Sequence, residues 1–428
     1  MGIAEEKNYK PRIIDSKIER YLSHFGAVCL EGPKWCGKTW TSSFHSKSEV
    51  FLGDPSGGFQ NRRLAELSPD LILEGEAPRL IDEWQEVPSI WDAVRYTVDK
   101  EGKKGRFILT GSSTPNRKGV LHSGAGRIGT LKMRTMSLYE SGDSSGQISL
   151  EKLCNGEMTP CMTGEVQLRD LIYYAVRGGW PGNLDAPLQE AQILPESYLQ
   201  AILKDDIGRV DGIRYEARKI EMLLRSLARN ESTTVSNNLL AKDIAEYNDG
   251  NIDRNTVAQY LDILSRLFLL DNQPPFSSNI RSSVRIKQAE KRHFCDPALA
   301  CVLLKATPEH LLSDLNTFGF IFEALCERDL KIYAESFDAK LYHYQDYRNR
   351  EIDAVIELAD GEWCAFEIKL GAHQIDAAAA SLLTIKEELE RTPGAKPPRI
   401  MCVICGMTSA AYRRPDGVYV IPITALKN

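Results

Sequence analysis

The chain has 428 residues, of which 43% are hydrophobic and 26% charged, with a formal net charge of −6. That is the composition of an ordinary globular protein, long enough for about two or three domains at ~150 residues each. The acidic balance excludes binding of a polyanion by the whole surface, so any nucleic-acid contact must come from local basic patches, and no apolar run reaches the ~18 residues that span a bilayer.

The first residues, Met1-Gly2-Ile3-Ala4-Glu5-Glu6, lack the apolar segment of a secretory signal, and without Ser or Thr at the sixth position they are a poor myristoylation match. Ten cysteines are scattered along the chain, several of them in apolar strand-like runs such as Cys29, Cys364 and Cys402. They read as reduced core residues of a cytoplasmic protein. Cys402 and Cys405 have metal-ligand spacing but no second ligand pair, and three residues apart on a strand their side chains point to opposite faces.

Residues 11–25 predict a leading helix, with Ile13, Ile14, Ile18, Tyr21 and Leu22 at helical spacing. Ala27–Glu31 then reads as an apolar strand running into Gly32-Pro33-Lys34-Trp35-Cys36-Gly37-Lys38-Thr39 and a following helix that begins with Trp40. Strand, Gly-x-x-x-x-Gly-Lys-Thr and helix together are a phosphate-binding loop. The glycines let backbone N–H groups converge on a polyphosphate, and the helix presents its positive end to the same anion. Lys38 would reach the β- and γ-phosphates, and Thr39 would place its hydroxyl on Mg²⁺. Gly32, Pro33, Lys34, Trp35, Cys36, Gly37, Lys38, Thr39 and Trp40 are therefore the candidate residues for ATP or ADP.

Val50–Asp54 is a second short strand ending in an acid. Pro78-Arg79-Leu80-Ile81-Asp82-Glu83 is an apolar strand ending in two acids, the other half of an ATPase site. Asp82 would hold the Mg²⁺ shell, and Glu83 would orient or deprotonate the attacking water. A third strand, Arg106–Thr110, ends in Gly111-Ser112-Ser113, where Ser112 could sense the γ-phosphate. Strands that each deliver polar groups at their C-terminal ends imply a parallel sheet with helices on both faces. Arg127, in the glycine-rich turn 124–127, suits transition-state phosphate charge in its own subunit or a neighbour's.

These pieces resemble the AAA+-like ATPases of bacteria and archaea over roughly residues 10–185. The matching stretches are Gly32–Thr39, Ile81–Gln85 with Pro88, Leu109–Ser112, Gly126-Arg127 and the turn Gly178-Gly179-Trp180-Pro181. The resemblance implies an Mg²⁺-dependent ATPase domain over 1–185 and a candidate homo-oligomer.

Residues 141–165 are polar and read as a surface loop, with helices at 166–177 and 187–205 on either side of the Gly-Gly-Trp-Pro turn. The second of these, ending in Asp205-Asp206-Ile207, could pack back on the ATPase as a lid. Helices at 239–247 and 253–266 across a polar turn, followed by a strand at 267–270, look like a winged helix, so 186–295 is expected to be a helical middle domain. The run Arg281–Arg292 carries five basic residues against one acid, a wing or hairpin that could meet a DNA backbone. A protein-contact helical module is the other reading of this region.

The remainder, 296–428, carries a second constellation. Glu323 lies on a helix within an apolar stripe. Tyr342–Tyr347 is a strand, and Glu351–Leu358 and Trp363–Lys369 form a hairpin about Asp360-Gly361. Asp353 with Glu367-Ile368-Lys369 suits divalent-metal chemistry. The two acids supply hard oxygen ligands, and Lys369, on the same strand face as Glu367, could position or activate water. In this order the elements look like the PD-(D/E)xK nuclease fold, which implies Glu323, Asp353 and Glu367 as ligands of a second divalent metal. A helix at 374–391 and strands at 399–405 and 417–422 would complete the unit. The whole chain then reads as an ATPase whose nucleotide state controls a nuclease-like module acting on DNA. The alternative is a nucleotide-gated switch that grips DNA or protein without cutting.

Overall fold

The computed structural model describes residues 9–113, 122–208, 216–248, 252–279 and 281–428; the extreme N-terminus and residues 249–251 of the polar turn lie outside them. The chain folds as two compact units. The first comprises Met1–Thr135, Ala201–Tyr215 and Asp262–Leu269, and the second Met136–Gln200, Glu216–Leu261 and Leu270–Asn428. The longest segment of the first unit ends at Thr135, and the stretch 186–295 is shared between the two units.

In the first unit five strands, β1 (Ala27–Glu31), β2 (Ser48–Phe51), β3 (Arg79–Asp82), β4 (Phe107–Gly111) and β5 (Ile128–Lys132), form an all-parallel sheet in the order β2-β3-β4-β1-β5. Strand side chains alternate between faces, and both faces of β1 are buried. Ala27 and Cys29 join a cluster with Ile90, Trp91 and Val94 of helix Ser89–Glu101. Val28 and Leu30 join another with Ile18 of helix Asp15–His24. The near-continuous apolar strands and the helices on both faces are what a doubly covered parallel sheet requires. The order places β4 between β1 and β3, so its polar tip lies between the phosphate loop and the acid pair.

The second unit is built on a seven-stranded mixed sheet. Its strands are β7 (Cys161–Met162), β8 (Lys340–Gln345), β9 (Glu351–Glu357), β10 (Trp363–Lys369), β11 (Ile400–Cys405), β12 (Ala410–Arg413) and β13 (Tyr419–Ile421), in the order β7-β12-β13-β11-β10-β9-β8. The expected hairpin is present as antiparallel β9–β10, turning at Gly361 with φ 78°. Helix Ile375–Arg391 crosses over to the parallel strand β11. It buries Ala378, Ala379, Leu382 and Ile385 against Ala365, Val403 and Val420. Helix Leu315–Ser336 lies against β8, β9 and β10.

Three expectations in this region are corrected. Residues 141–165 are not simply a surface loop. β6 (Ile148–Ser149) pairs with β14 (Leu426–Lys427), β7 extends the large sheet, and helix Leu150–Cys154 lies between them. Helices Asn237–Asn248 and Arg254–Arg266 form, but 267–270 does not become a strand. Leu267 and Leu269 donate back to Ile263 and Leu264, closing the helix, and Leu270 makes a single bridge to Phe294. The basic run forms no wing: Val284–Lys287 is a short helix, and three of its cations are paired within the fold. Arg285 clamps Glu357 at 2.8 Å, Arg292 lies 3.8 Å from Glu290, and Lys291 is buried among acids. Those charges are compensated internally and are not presented to a phosphate backbone.

Candidate functional site

The phosphate loop leaves the C-terminal end of β1 and enters helix Lys38–Phe44. Its first glycine is required sterically, because a Cβ on Gly32 would sit 2.1 Å from the carbonyl oxygen of Met133. Trp35 (φ 62°) and Gly37 (φ 104°) take left-handed backbone, which for a tryptophan costs roughly 1–2 kcal/mol. The buried Lys38 ammonium donates to the carbonyls of Gly32 at 2.9 Å and Pro33 at 2.8 Å. It lies inside the loop, where phosphate oxygens would take the place of those carbonyls. Trp35 and Trp40 are exposed, and Cys36 is buried with its thiol toward the Met133 carbonyl.

β3 and β4 bring the acids to this loop. Asp82 Oδ1 accepts from Thr39 Oγ1 at 2.9 Å and from Thr110 Oγ1 at 2.7 Å. Burial pushes its pKa up, against the hydrogen bonds from Thr110 and Thr39. Glu83 has left-handed backbone, φ 58°, and its N–H donates to Thr110 Oγ1 at 3.0 Å. Its carboxylate accepts from Ser112 Oγ at 2.9 Å and from Gln85 Nε2, which also reaches Ser112 Oγ at 3.3 Å. The geometry therefore brings Lys38, Thr39, Asp82, Glu83 and Ser112 together, and adds Thr110 and Gln85. A hydroxyl and a carboxylate meeting beside a lysine are the oxygen donors that fit Mg²⁺.

Two braces hold the loop; Arg12 carried no site signal in the sequence, whereas Lys34 stands among the loop residues expected to bind nucleotide. The buried Arg12 guanidinium donates to the Cys36 carbonyl and to the Arg134 carbonyl, each at 2.9 Å, and so fixes the loop from behind. Lys34 pairs with Asp206 at 2.6 Å, in a π-helical turn at Ile202–Asp206 that belongs to the same unit. The expectation that this helix end returns to the ATPase is met there by an ion pair.

Arg127 lies at the other end of the sheet. β1 and β5 are parallel with Ala27 opposite Ile128, so Arg127 precedes β5 at the edge remote from the loop. Its guanidinium is paired with Asp99 at 2.6 Å. At ~3.3 Å per residue, the five-residue strand β1 separates it from its own loop by well over a side-chain length. A finger role within its own subunit is thereby excluded.

In the second unit Glu323, Asp353, Glu367 and Lys369 also meet. Lys369 Nζ lies 2.7 Å from Glu367 and 3.0 Å from Asp353, whose Oδ2 accepts the Ile368 N–H at 2.7 Å. Glu323 is paired with Lys291, which also lies 3.3 Å from Glu327. His293 continues the buried chain to Glu327 at 2.5 Å and Glu231 at 3.0 Å. Burial raises both Glu323 and Glu367 to about 8, against Lys291 and Lys369 respectively; Asp353 is held below the usual carboxylate range by Lys369 and Lys291 in spite of burial. The oxygen donors suit a hard cation, but each of the three expected ligands already holds an ammonium. Among the described residues, no three or more His, Cys, Asp or Glu side chains form a group open to a metal ion. Lys291, Glu327, His293 and Glu231 were missed as parts of this centre. Lys291 stood in a basic run that reads as a wing or hairpin, and the others carried no local motif.

The model of a family described as "AAA domain" matches residues 24–141, the stretch that carries the phosphate loop and the acid pair, and supports reading it as a P-loop ATPase domain. Models of two domains of unknown function match the rest, DUF8612 over residues 168–310 and DUF4143 over residues 318–426. An uncharacterized protein of Mycobacterium tuberculosis is 25% identical over 358 residues, covering 83% of this chain and 72% of its own length; one of Mycobacterium bovis matches to the same extent. Among solved structures, a Walker-type ATPase of Pyrococcus abyssi is similar at a TM-score of 0.41 and 14% identity, covering 71% of this chain and 98% of its own. No described helix is long and apolar enough to cross a membrane.

Proposed function

We propose that the first unit hydrolyses ATP with Mg²⁺ and that its nucleotide state controls the second unit, a nuclease-like module that acts on DNA. The observation that carries the ATPase half is the meeting of Thr39, Asp82 and Glu83 beside Lys38. Mg²⁺, when bound, would neutralise charge on the β- and γ-phosphates. Thr39 and Asp82 would hold it. Lys38 would exchange the Gly32 and Pro33 carbonyls for phosphate oxygens. Glu83, steadied by Ser112 and Gln85, would orient the attacking water and accept its proton at the carboxylate. Arg127 can serve only a neighbouring copy. Lys38→Ala should abolish ATP turnover by the purified chain; turnover at the wild-type rate would sink the assignment.

For the second unit, Glu323, Asp353 and Glu367 would hold a divalent cation that stabilises phosphodiester charge, with Lys369 placing the water. The expected result is Mg²⁺- or Mn²⁺-dependent cutting of DNA, lost in Asp353→Ala and in Lys369→Ala. No cleavage of linear, branched or single-stranded DNA would instead favour the second reading, a nucleotide-gated module that grips without cutting. The pairing of all three acids with lysine ammoniums supports that second reading.

A further inference from the structure

We propose that the Lys291 ammonium is the resident cation of the second unit's acidic centre and that it competes with divalent metal for that place. The inference rests on the nuclease-like reading of Glu323, Asp353 and Glu367.

The position of Lys291 is built in. Its backbone exchanges two hydrogen bonds with Gln273, each 2.9 Å, and the Gln273 side chain donates to the carbonyls of Tyr342 at 2.8 Å and Asp353 at 3.1 Å. The segment carrying the ammonium is thus tied to the strand carrying the acid. Lys291 itself is buried. Its Nζ bonds Glu323, lies 3.3 Å from Glu327 and 3.4 Å from the Asp353 carbonyl, and stands 4.0 Å from Asp353 Oδ1. His293, hydrogen-bonded to Glu231 and close to Glu327, fixes the far wall of this pocket of charge.

Carboxylates from a helix and a strand therefore converge on one point, and that point is filled by a side chain of the same chain. A buried ammonium satisfies those acids much as a metal would, with three donors in place of coordination bonds. A divalent ion entering beside it meets a like charge at close range in a medium that screens poorly, so it must displace the lysine from Glu323. The centre is by this account closed to metal while Lys291 is seated.

The test is titration of Mn²⁺ into the nucleotide-free full chain, read by calorimetry and by the paramagnetic resonance signal of free Mn²⁺. Wild type, Lys291→Ala, Lys291→Gln and the double variant Lys291→Ala/Asp353→Asn are compared, so the phosphate loop is the same throughout. Lys291→Ala should bind Mn²⁺ at least roughly tenfold more tightly than wild type, the effect of removing one close like charge, and the double variant should lose the gain. Lys291→Gln keeps the length and the neutral donor; if the alanine variant is unfolded by circular dichroism, the glutamine variant decides by the same criterion. Equal Mn²⁺ affinity in wild type and the folded Lys291 variant overturns the proposal, as does a gain that survives Asp353→Asn. A gain in metal without DNA cleavage by any form would leave the proposal standing and remove the nuclease reading.

Discussion

Glu83 sits where an ordinary side chain pays a conformational cost, with φ 58° and three polar neighbours holding its carboxylate and N–H. Strain of this kind, about 1–3 kcal/mol, persists only where the surroundings over-determine it. If the carboxylate is the water-orienting base, Glu83→Gln should lower kcat by roughly 10²–10⁴-fold while nucleotide binding, read by fluorescence titration, is retained. A variant with the wild-type kcat would remove Glu83 from the mechanism. A different residue contributes to stability against pH. Burial presses the His293 pKa down, but Glu327 and Glu231 override it and hold the ring at about 9. The folded value lies above the ordinary 6.5, so the stabilising contribution is complete below ~6.5 and is lost as pH rises toward 9, at up to about 1.4 kcal/mol per pH unit. Thermal unfolding should shift to lower temperature between pH 6.5 and 9, and His293→Gln should flatten that slope. An unaltered slope in the variant would contradict the pairing. Lys38, Thr39, Asp82 and Glu83 could be read in advance because each stands in a contiguous motif at the end of an apolar run. Gln85 and Lys291 could not, since their roles depend on partners brought near only by folding.

Elements were legible where local sequence is sufficient. β1, β3 and β4 are short apolar runs with polar tips, and the structure places them where those runs stand. The run 267–270 misled because Leu-Phe-Leu-Leu suits a buried helix end as well as a strand. The segment 141–165 misled because β6 and β7 acquire their partners from β14 and β12, far downstream, and a two-residue strand carries no signal of such pairing. The turn from β1 into the loop offers a test at this scale. Met133, just beyond β5, leaves no room for a Cβ at Gly32. Gly32→Ala should destabilise the first unit by about 1–3 kcal/mol, seen as a lowered Tm, because backbone must move to accept the methyl group. An unchanged Tm would show that the close approach is not obligatory.

At the scale of the molecule, each unit gathers a set of charges, one at a glycine loop suited to phosphate and one paired with lysines. The chain leaves the first unit at Thr135 and returns to it twice, through Ala201–Tyr215 and Asp262–Leu269. Local composition does not reveal such a return. The sheet also assigns Arg127 to the edge away from its own loop. If it acts on a neighbour's phosphates, mixing Lys38→Ala chains with Arg127→Ala chains should restore part of the ATPase activity that each lacks alone. No recovery at any mixing ratio would leave Arg127 a structural partner of Asp99. The central claim, that the first unit is an ATPase coupled to a nucleic-acid module, is tested most directly by steady-state ATP hydrolysis with Mg²⁺. Wild type and Lys38→Ala would be measured with and without DNA at one stated salt concentration. The account predicts Mg²⁺-dependent turnover that DNA alters and Lys38→Ala abolishes; turnover undiminished in Lys38→Ala would contradict it.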